Sequence, residues 1–442
     1  MSNLSDLLPA GGGAKVAEFV ASGTLASGQT VALKADGTVT AITSDGVPAS
    51  AGTSVAYASG RSIVNSATFD SNSNKVVVAF RDVGNSNYGT AVVGTVSGTS
   101  ISFGTPIVFN AAGTPYIATT FDSSNNKVVI FYKNEGNSNY GTAIVGTVSG
   151  TSISFGSPVM YESSTTQWHQ ATFDSNSNKV VIAWQQVGDS YKGYGAIGTV
   201  SGTSISFTSY ENFSGANSNI YDIVFDSSNN KVVITYQDNN NSASGTAVVG
   251  TVSGSSLTFG APVAYATGTD YMSIAFDNVA NKVVISYRLS SNGYGYAIVG
   301  TVSGTSISFG TPVVFSATSV SYTSATFDSN TGNIVIAYRD GGNSNYGTSI
   351  VGTVSGTSIS FGTPVVFENA RADYIGSTFD SSNNKVVIAY ENYGNSQYGT
   401  GVAFQTASSN SADFLGITNE AISNSATGEV AVQGGAITNS TL

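Results

Sequence analysis

The sequence predicts an all-β protein whose main body is a seven-bladed β-propeller. Three observations carry this. The pair Phe-Asp recurs seven times, at 69–70, 121–122, 173–174, 225–226, 276–277, 327–328 and 379–380, spaced 51 or 52 residues apart. Each unit then reads as four short strands joined by polar turns. The chain is also rich in Val, Ile, Phe, Tyr and Thr, with 51 glycines and only 9% charged residues, a composition for sheets and turns. Four antiparallel strands in about 50 residues, repeated, is the arithmetic of a propeller blade.

The sixth unit shows the elements in order. "YTSATFDS" (322–329) is a first strand, and "NTGN" (330–333) a turn. "IVIAYRD" (334–340) is a second strand, and "GGNSNYGT" (341–348) a loop. "SIVGTVSG" (349–356) is a third strand and "TSISFGTPVVF" (357–367) a fourth. No stretch has helical periodicity with caps. Pro106, Pro158, Pro262, Pro312 and Pro364 fall inside the fourth strand. Proline cannot donate to a ladder, so that strand belongs at the outer edge.

The copies are uneven at the ends. "GTVSGTSISFG" or a variant appears six times but is missing after the seventh third strand, "GTGVAFQT" (399–406). Upstream of the first unit, "VPASAGTSVAYA" (47–58) resembles the fourth-strand pattern. Residues near 47–58 are therefore expected to supply the outer strand of the last blade and close the ring. Residues 1–45 and 412–442 lie outside the repeat, and both alternate like short strands, with Ala35-Asp36-Gly37-Thr38 as a hairpin turn. This predicts a small β-domain made from both ends, with the propeller (46–411) inserted in it.

Composition also excludes function classes. A net charge of −11 with no basic stripe argues against nucleic acid and anionic membranes. The absence of cysteine removes disulfides, Cys-based zinc sites and a thiol nucleophile. No apolar run approaches the roughly 18 residues of a membrane span, and "MSNLSDLLPAGGGAKVAEF" does not read as a secretory signal. Release from a cell would then go by another route, such as lysis.

The flanks "MSNLSDLLPAGGG", "ASGQTVALKADGTV" and "FLGITNEAISNSATGEVAVQGG" resemble the flanking segments of virion structural proteins of tailed phages, particularly cyanophages, of tail-fibre or capsid-decoration type. The resemblance implies a virion location, attachment to other virion proteins, and display or host contact by the part between the flanks. A homo-oligomer is left open, and no heptad pattern argues for one.

A search for chemistry finds none assigned. His169 is the sole histidine and is expected to be a solvated loop residue. No Gly-x-Ser-x-Gly elbow surrounds a serine, no histidine cluster holds a metal, and no unique acidic pair stands out in the repeats for glycoside hydrolysis. No cofactor, metal or catalytic residue is expected. The repeated Asp is read as an Asx-turn former. Its "DSNSN" loop also echoes the start of a calcium loop but lacks the Gly and distant Glu. Sialidase Asp-boxes, WD and kelch signatures are absent.

Candidate contacts come from comparing the repeats with one another. "GNSNYGT" is nearly constant in four units, which points to a structural joint with Gly for tight geometry and Tyr packed between blades. The loops from blade to blade vary far more, as in "ESSTTQWHQ" (162–170) and "SYENFSGANSNIY" (209–221). Five positions before each Phe stands Val64, Tyr116, Trp168, Ile220, Tyr271, Tyr322 or Tyr374. Five aromatics would then ring a channel mouth, either to stack on sugars or to pack blade on blade. Trp168 and His169 are the least repeated pair. Arg81 and Arg339, with Arg288, recur at the end of the second strand, where other units carry Lys, Gln or Glu. Together these point to a non-enzymatic protein binding host-surface glycan. The alternatives are pure capsid decoration, and a secreted lectin or glycan hydrolase.

Overall fold

The computed structural model describes residues 48–407 without a break. It also describes 16–27, 30–33, 38–41, 414–418, 421, 423 and 425–431. The chain divides into two units, Ser50–Thr406 and the joined flanks Met1–Ala49 with Ala407–Leu442. The flank unit holds an antiparallel sheet of Val16–Val20, Thr30–Leu33, Val39–Ala41, Phe414–Thr418 and Thr427–Ala431. In it Val16–Val20 pairs with Thr427–Ala431, and Thr30–Leu33 with Phe414–Thr418. Residues 35–37 of the expected hairpin turn lie outside the described residues.

Ser50–Thr406 is built of antiparallel meanders in a β-propeller-like, all-β fold. In the unit around Phe69-Asp70, the end of Val55–Asp70 pairs with Lys75–Asp82, which pairs with Tyr88–Ser97. The latter pairs with Ser100–Phe103 and Ile107–Gly113. The same pairing of first and second strands stands at each later Phe-Asp pair. The turn after Phe-Asp is made by the aspartate itself. Asp70 Oδ1 accepts from the amides of Asn72 at 2.9 Å and Ser73 at 3.0 Å. The other six aspartates do the same. Four residues after the aspartate the backbone turns left-handed, which explains Asn74 (φ 54°) and Gly332 (φ 69°) there. The acid is thus a backbone staple, as expected.

"GNSNYGT" is likewise a joint. Asp82 caps a short 3-10 turn, Val83–Asn85, after which Ser86 and Asn87 are both left-handed. Equivalent serines take the same conformation even where the loop diverges, at Ser190 and Ser242. A second aromatic packs here. Tyr88 is half-buried and opens the third strand. It is the glycine after it that seats a ring: a Cβ on Gly89 would stand 2.5 Å from the Phe109 ring.

That ring belongs to a contact that bolts each repeat to the next. An outer-strand aromatic of one unit packs on a second-strand aromatic of its successor. The pairs are Phe109–Tyr132, Tyr161–Trp184, Phe213–Tyr236, Tyr265–Tyr287, Phe315–Tyr338 and Phe367–Tyr390, with ring centroids 5.2–5.6 Å apart. The second-strand members are fully buried. Tyr57 makes the same contact with Phe80, at 5.2 Å. Tyr57 lies on the segment expected to complete the last unit. Ala51 pairs with Phe404, the Gly52 amide donates to the Ala403 carbonyl at 2.9 Å, and Val55 pairs with Gly401.

Two expectations are corrected. The prolines do not lie within a continuous fourth strand. They lie in a break between its two halves, as Pro106 does between Ser100–Phe103 and Ile107–Gly113. Proline has no amide hydrogen for the ladder, and the preceding Gly104 lies against the next unit, where a Cβ would stand 1.9 Å from the Thr151 carbonyl oxygen. The segments 162–170 and 209–221 are not loops. They run inside the strands Val159–Asp174 and Ser204–Asp226, which pass from the outer edge of one unit to the innermost position of the next.

Because the contact at Tyr57 repeats the internal ones, Tyr57→Ala should cost as much stability as Phe315→Ala, about 3–5 kcal/mol each. Denaturant unfolding checks this. A far smaller loss at Tyr57 would show that the first and last units are not joined as the others are.

Candidate functional site

In six of the seven units the innermost strand starts with a bulge. Pairing to the second strand skips two residues between Ile63 and Ser66, Gln167 and Gln170, Asp270 and Ser273, Ser321 and Ser324, and Asp373 and Gly376. The first residue of the two-residue bulge is left-handed, and so is Tyr116 just ahead of the second unit's strand Ala118–Asp122: Val64, Tyr116, Trp168, Tyr271, Tyr322 and Tyr374 have φ of 44–55°. This is rare for bulky side chains and costs on the order of 1–2 kcal/mol each. The fourth unit departs from the rule. Its bulge skips one residue, between Ile220 and Asp222. Ile220 is fully buried, and its neighbour Tyr221 takes the inward place instead.

These residues line one cavity of about 650 Å³, to which every repeat contributes. The rings stand in two arcs. Tyr116–Trp168 and Trp168–Tyr221 are 5.7 and 5.4 Å apart, and Tyr271–Tyr322 and Tyr322–Tyr374 are 5.1 and 5.0 Å apart. Each ring is half-buried against its neighbour and also lines the cavity. Packing and cavity lining are therefore both features of the same rings.

Beneath them, side chains satisfy the free edge of the innermost strands. Ser66 Oγ accepts from the Thr119 amide at 3.0 Å, Ser273 Oγ from Ala325 at 2.9 Å, and Ser324 Oγ from Ser377 at 3.0 Å. In the fourth unit an acid does this work. Asp222 Oδ2 accepts from the Ile274 amide at 2.9 Å and from Ser273 Oγ at 2.7 Å. Desolvation pushes the Asp222 carboxyl up to about 6, against the pull of those bonds and of one from Ile223. Asp270 also lines the cavity and is gripped by Arg288, whose Nε donates at 2.7 Å and Nη2 at 2.5 Å.

His169 is not the solvated loop residue expected. It lies within a strand, 1% exposed, beside Tyr116 and Tyr161. Neither ring nitrogen makes a hydrogen bond of normal geometry. Burial, with some help from Lys133 and some opposition from the Tyr116 backbone, pushes its pKa down to about 3. It lines the cavity as a neutral imidazole.

Of the residues singled out from the sequence, Trp168, His169, Tyr116, Tyr271, Tyr322 and Tyr374 are brought together in the cavity wall. Arg81 and Arg339 are not among its lining. Arg81 Nε donates to Asn87 at 3.1 Å in its own loop. Arg339 donates to Asp373 at 2.5 Å and lies 5.0 Å from the Tyr322 ring centroid. These positions tether a unit to its loop or its neighbour. Sequence reasoning missed Tyr221, Asp222 and Asp270. The only signal was an aromatic one place beyond Ile220, where the bulge is a residue shorter.

No protein-family model and no curated protein sequence matches the chain. Solved structures do. The BP39L lectin from Burkholderia pseudomallei is 11% identical, with a TM-score of 0.58 over 79% of this chain and 98% of that one. The periplasmic gluconolactonase PpgL of Pseudomonas aeruginosa is 11% identical, with a TM-score of 0.49 over 84% and 99%. AofleA from Arthrobotrys oligospora is 9% identical, with a TM-score of 0.44 over 77% and 98%. At such identities the likeness to BP39L is one of fold.

Two outcomes follow from the site. The single imidazole should show no titration near pH 6.5 by NMR, and a midpoint there would mean that His169 is solvated. Since an unfolded histidine binds a proton near its ordinary pKa of about 6.5, this residue's contribution to stability is full above that pH. It is lost as pH falls from there toward 3. Chelation of divalent metal should leave the melting temperature unchanged, because each turn aspartate already holds two amides. A clear drop would revive the calcium reading.

Proposed function

We propose that Ser50–Thr406 is a seven-bladed β-propeller, carried outside a tailed-phage particle by the flank unit, that binds host-surface carbohydrate without catalysing a reaction. The observation that carries the binding reading is the cavity itself. Half-buried aromatic rings face it, with serine, threonine and carboxylate oxygens beneath. Aromatic faces suit the apolar faces of sugars, and the oxygens suit their hydroxyls. The fold shared with a lectin, BP39L, supports the same reading. The seven-blade count is supported by the seven Phe-Asp units and by the outer strand that residues 50–61 lend to the last. The virion setting rests on the resemblance of the flanks.

Two observations favour other readings. The ring-to-ring contacts would serve a purely decorating protein equally well. Asp222 and Asp270 both line the cavity, which the sequence had not shown, and a glycan hydrolase needs two carboxylates. Against hydrolysis, Asp222 is engaged by two amides and a hydroxyl, and Asp270 by a guanidinium.

Binding of the full chain to whole host cells and to a glycan array tests the reading. Trp168→Ala should weaken sugar binding about tenfold, equivalent to about 1.4 kcal/mol, with the fold intact by circular dichroism. No binding anywhere would leave decoration, and new reducing ends from a bound polysaccharide would establish a hydrolase.

A further inference from the structure

The repeats would give seven equal sites if recognition followed the symmetry, yet the groups able to recognise a ligand are not equally spread. His169, the sole histidine, belongs to the third unit. Tyr221 and Asp222 belong to the fourth, where the shortened bulge brings the extra aromatic inward. Asp270 belongs to the fifth. At the place of Asp222 the other units carry Ser66, Ala118, Gln170, Ser273, Ser324 and Gly376. The three consecutive units therefore hold an aromatic platform, Trp168 and Tyr221 at 5.4 Å, next to both carboxylates of the wall. Across the cavity the first and seventh units offer Val64, Asn65, Ser66, Tyr374 and Gly376, which carry no charge.

Charge fixes the class of ligand. The formally charged residues lining the cavity are Asp222 and Asp270. Arg288, the cation beside them, is taken up by the two-bond grip on Asp270, and no lysine or arginine is among the lining. A carboxylate or sulfate entering this wall would lose water without finding an unpaired cation among the lining, and would meet the Asp222 charge, while Asp270 and Arg288 offset one another. Hydroxyl and ammonium donors would meet acceptors.

Building on the carbohydrate reading above, we infer that the cavity holds a single ligand, in the sector of the third to fifth units, and that this ligand is a sugar unit bearing no negative charge, with an amine-bearing sugar favoured over its neutral counterpart.

The test uses the full chain and oligosaccharides in matched sets on one backbone: neutral, amine-bearing, and carboxylate- or sulfate-bearing. An array ranks them, and calorimetry with the tightest binder gives the stoichiometry. The expected result is one site per chain, with the anionic member weaker by about tenfold or more. Asp222→Asn and Asp270→Asn should both narrow that gap. Asp270→Asn should narrow it further, because it frees the Arg288 charge. If Asp222→Asn fails to fold, which its bonds to the fifth unit make a risk, Asp270→Asn alone decides. Several sites per chain, a preference for the anionic sugar, or an unchanged gap in Asp270→Asn would each overturn the assignment while leaving carbohydrate binding in place. Binding to no member of any set would overturn the carbohydrate reading and this inference with it.

Discussion

The structure of Ser50–Thr406 depends on one recurring contact: an outer-strand aromatic laid over a glycine of its own unit and pressed on a buried aromatic of the next. Gly89 under Phe109, with Phe109 against Tyr132, is its first instance. A side chain on the glycine would occupy the ring's place, and a small residue for the ring would open a void between units. The contact is also directional, since each unit grips its successor and is gripped by its predecessor. Tyr57, from the start of the unit's sequence, grips Phe80 as the other six rings grip their partners. The last meander lacks an outer strand of its own, and the segment carrying Tyr57 supplies one.

What that contact fixes at the periphery sets the geometry at the centre. The innermost strands end there with amides that no further strand can satisfy, a cost of the kind that sheet edges carry. Short side chains of the neighbouring unit take several of them, serine in most cases and Asp222 in one. Above this layer the left-handed bulge residues aim large rings at the cavity. A strained conformation at a tyrosine or tryptophan is not needed to form a meander, since the fourth unit forms one without it at Ile220. It recurs at five aromatic residues and at Val64, and all six line one cavity.

Much of this was legible in the residues. The Phe-Asp period, the missing outer strand and its replacement near 47–58 follow from self-comparison, because strand chemistry and turn chemistry repeat with the unit. The aspartate turn was legible because its cause is local: one carboxylate and the amides two and three residues on. The aromatic positions five before each Phe were legible as a set. What stayed hidden depends on register. The fourth unit drops one residue from its bulge, so the period pointed at Ile220 while the side chain in the cavity is Tyr221. The polarity of "TTQWHQ" suggested a wet loop, yet it runs along a strand whose alternate faces are buried, and His169 falls on the dry one. Arg81 and Arg339 stood as candidate contacts because their position varies between units, and the sequence does not show that Asn87 and Asp373 engage them.

A crystal structure of the full chain with a bound oligosaccharide tests the central claim most directly, because it locates the ligand rather than inferring it. The account predicts sugar density in the shared central cavity, stacked on Trp168 and Tyr221 with hydroxyls toward Asp222 and Asp270. Density lodged between adjacent units at the periphery, with the central cavity holding only water, would contradict it.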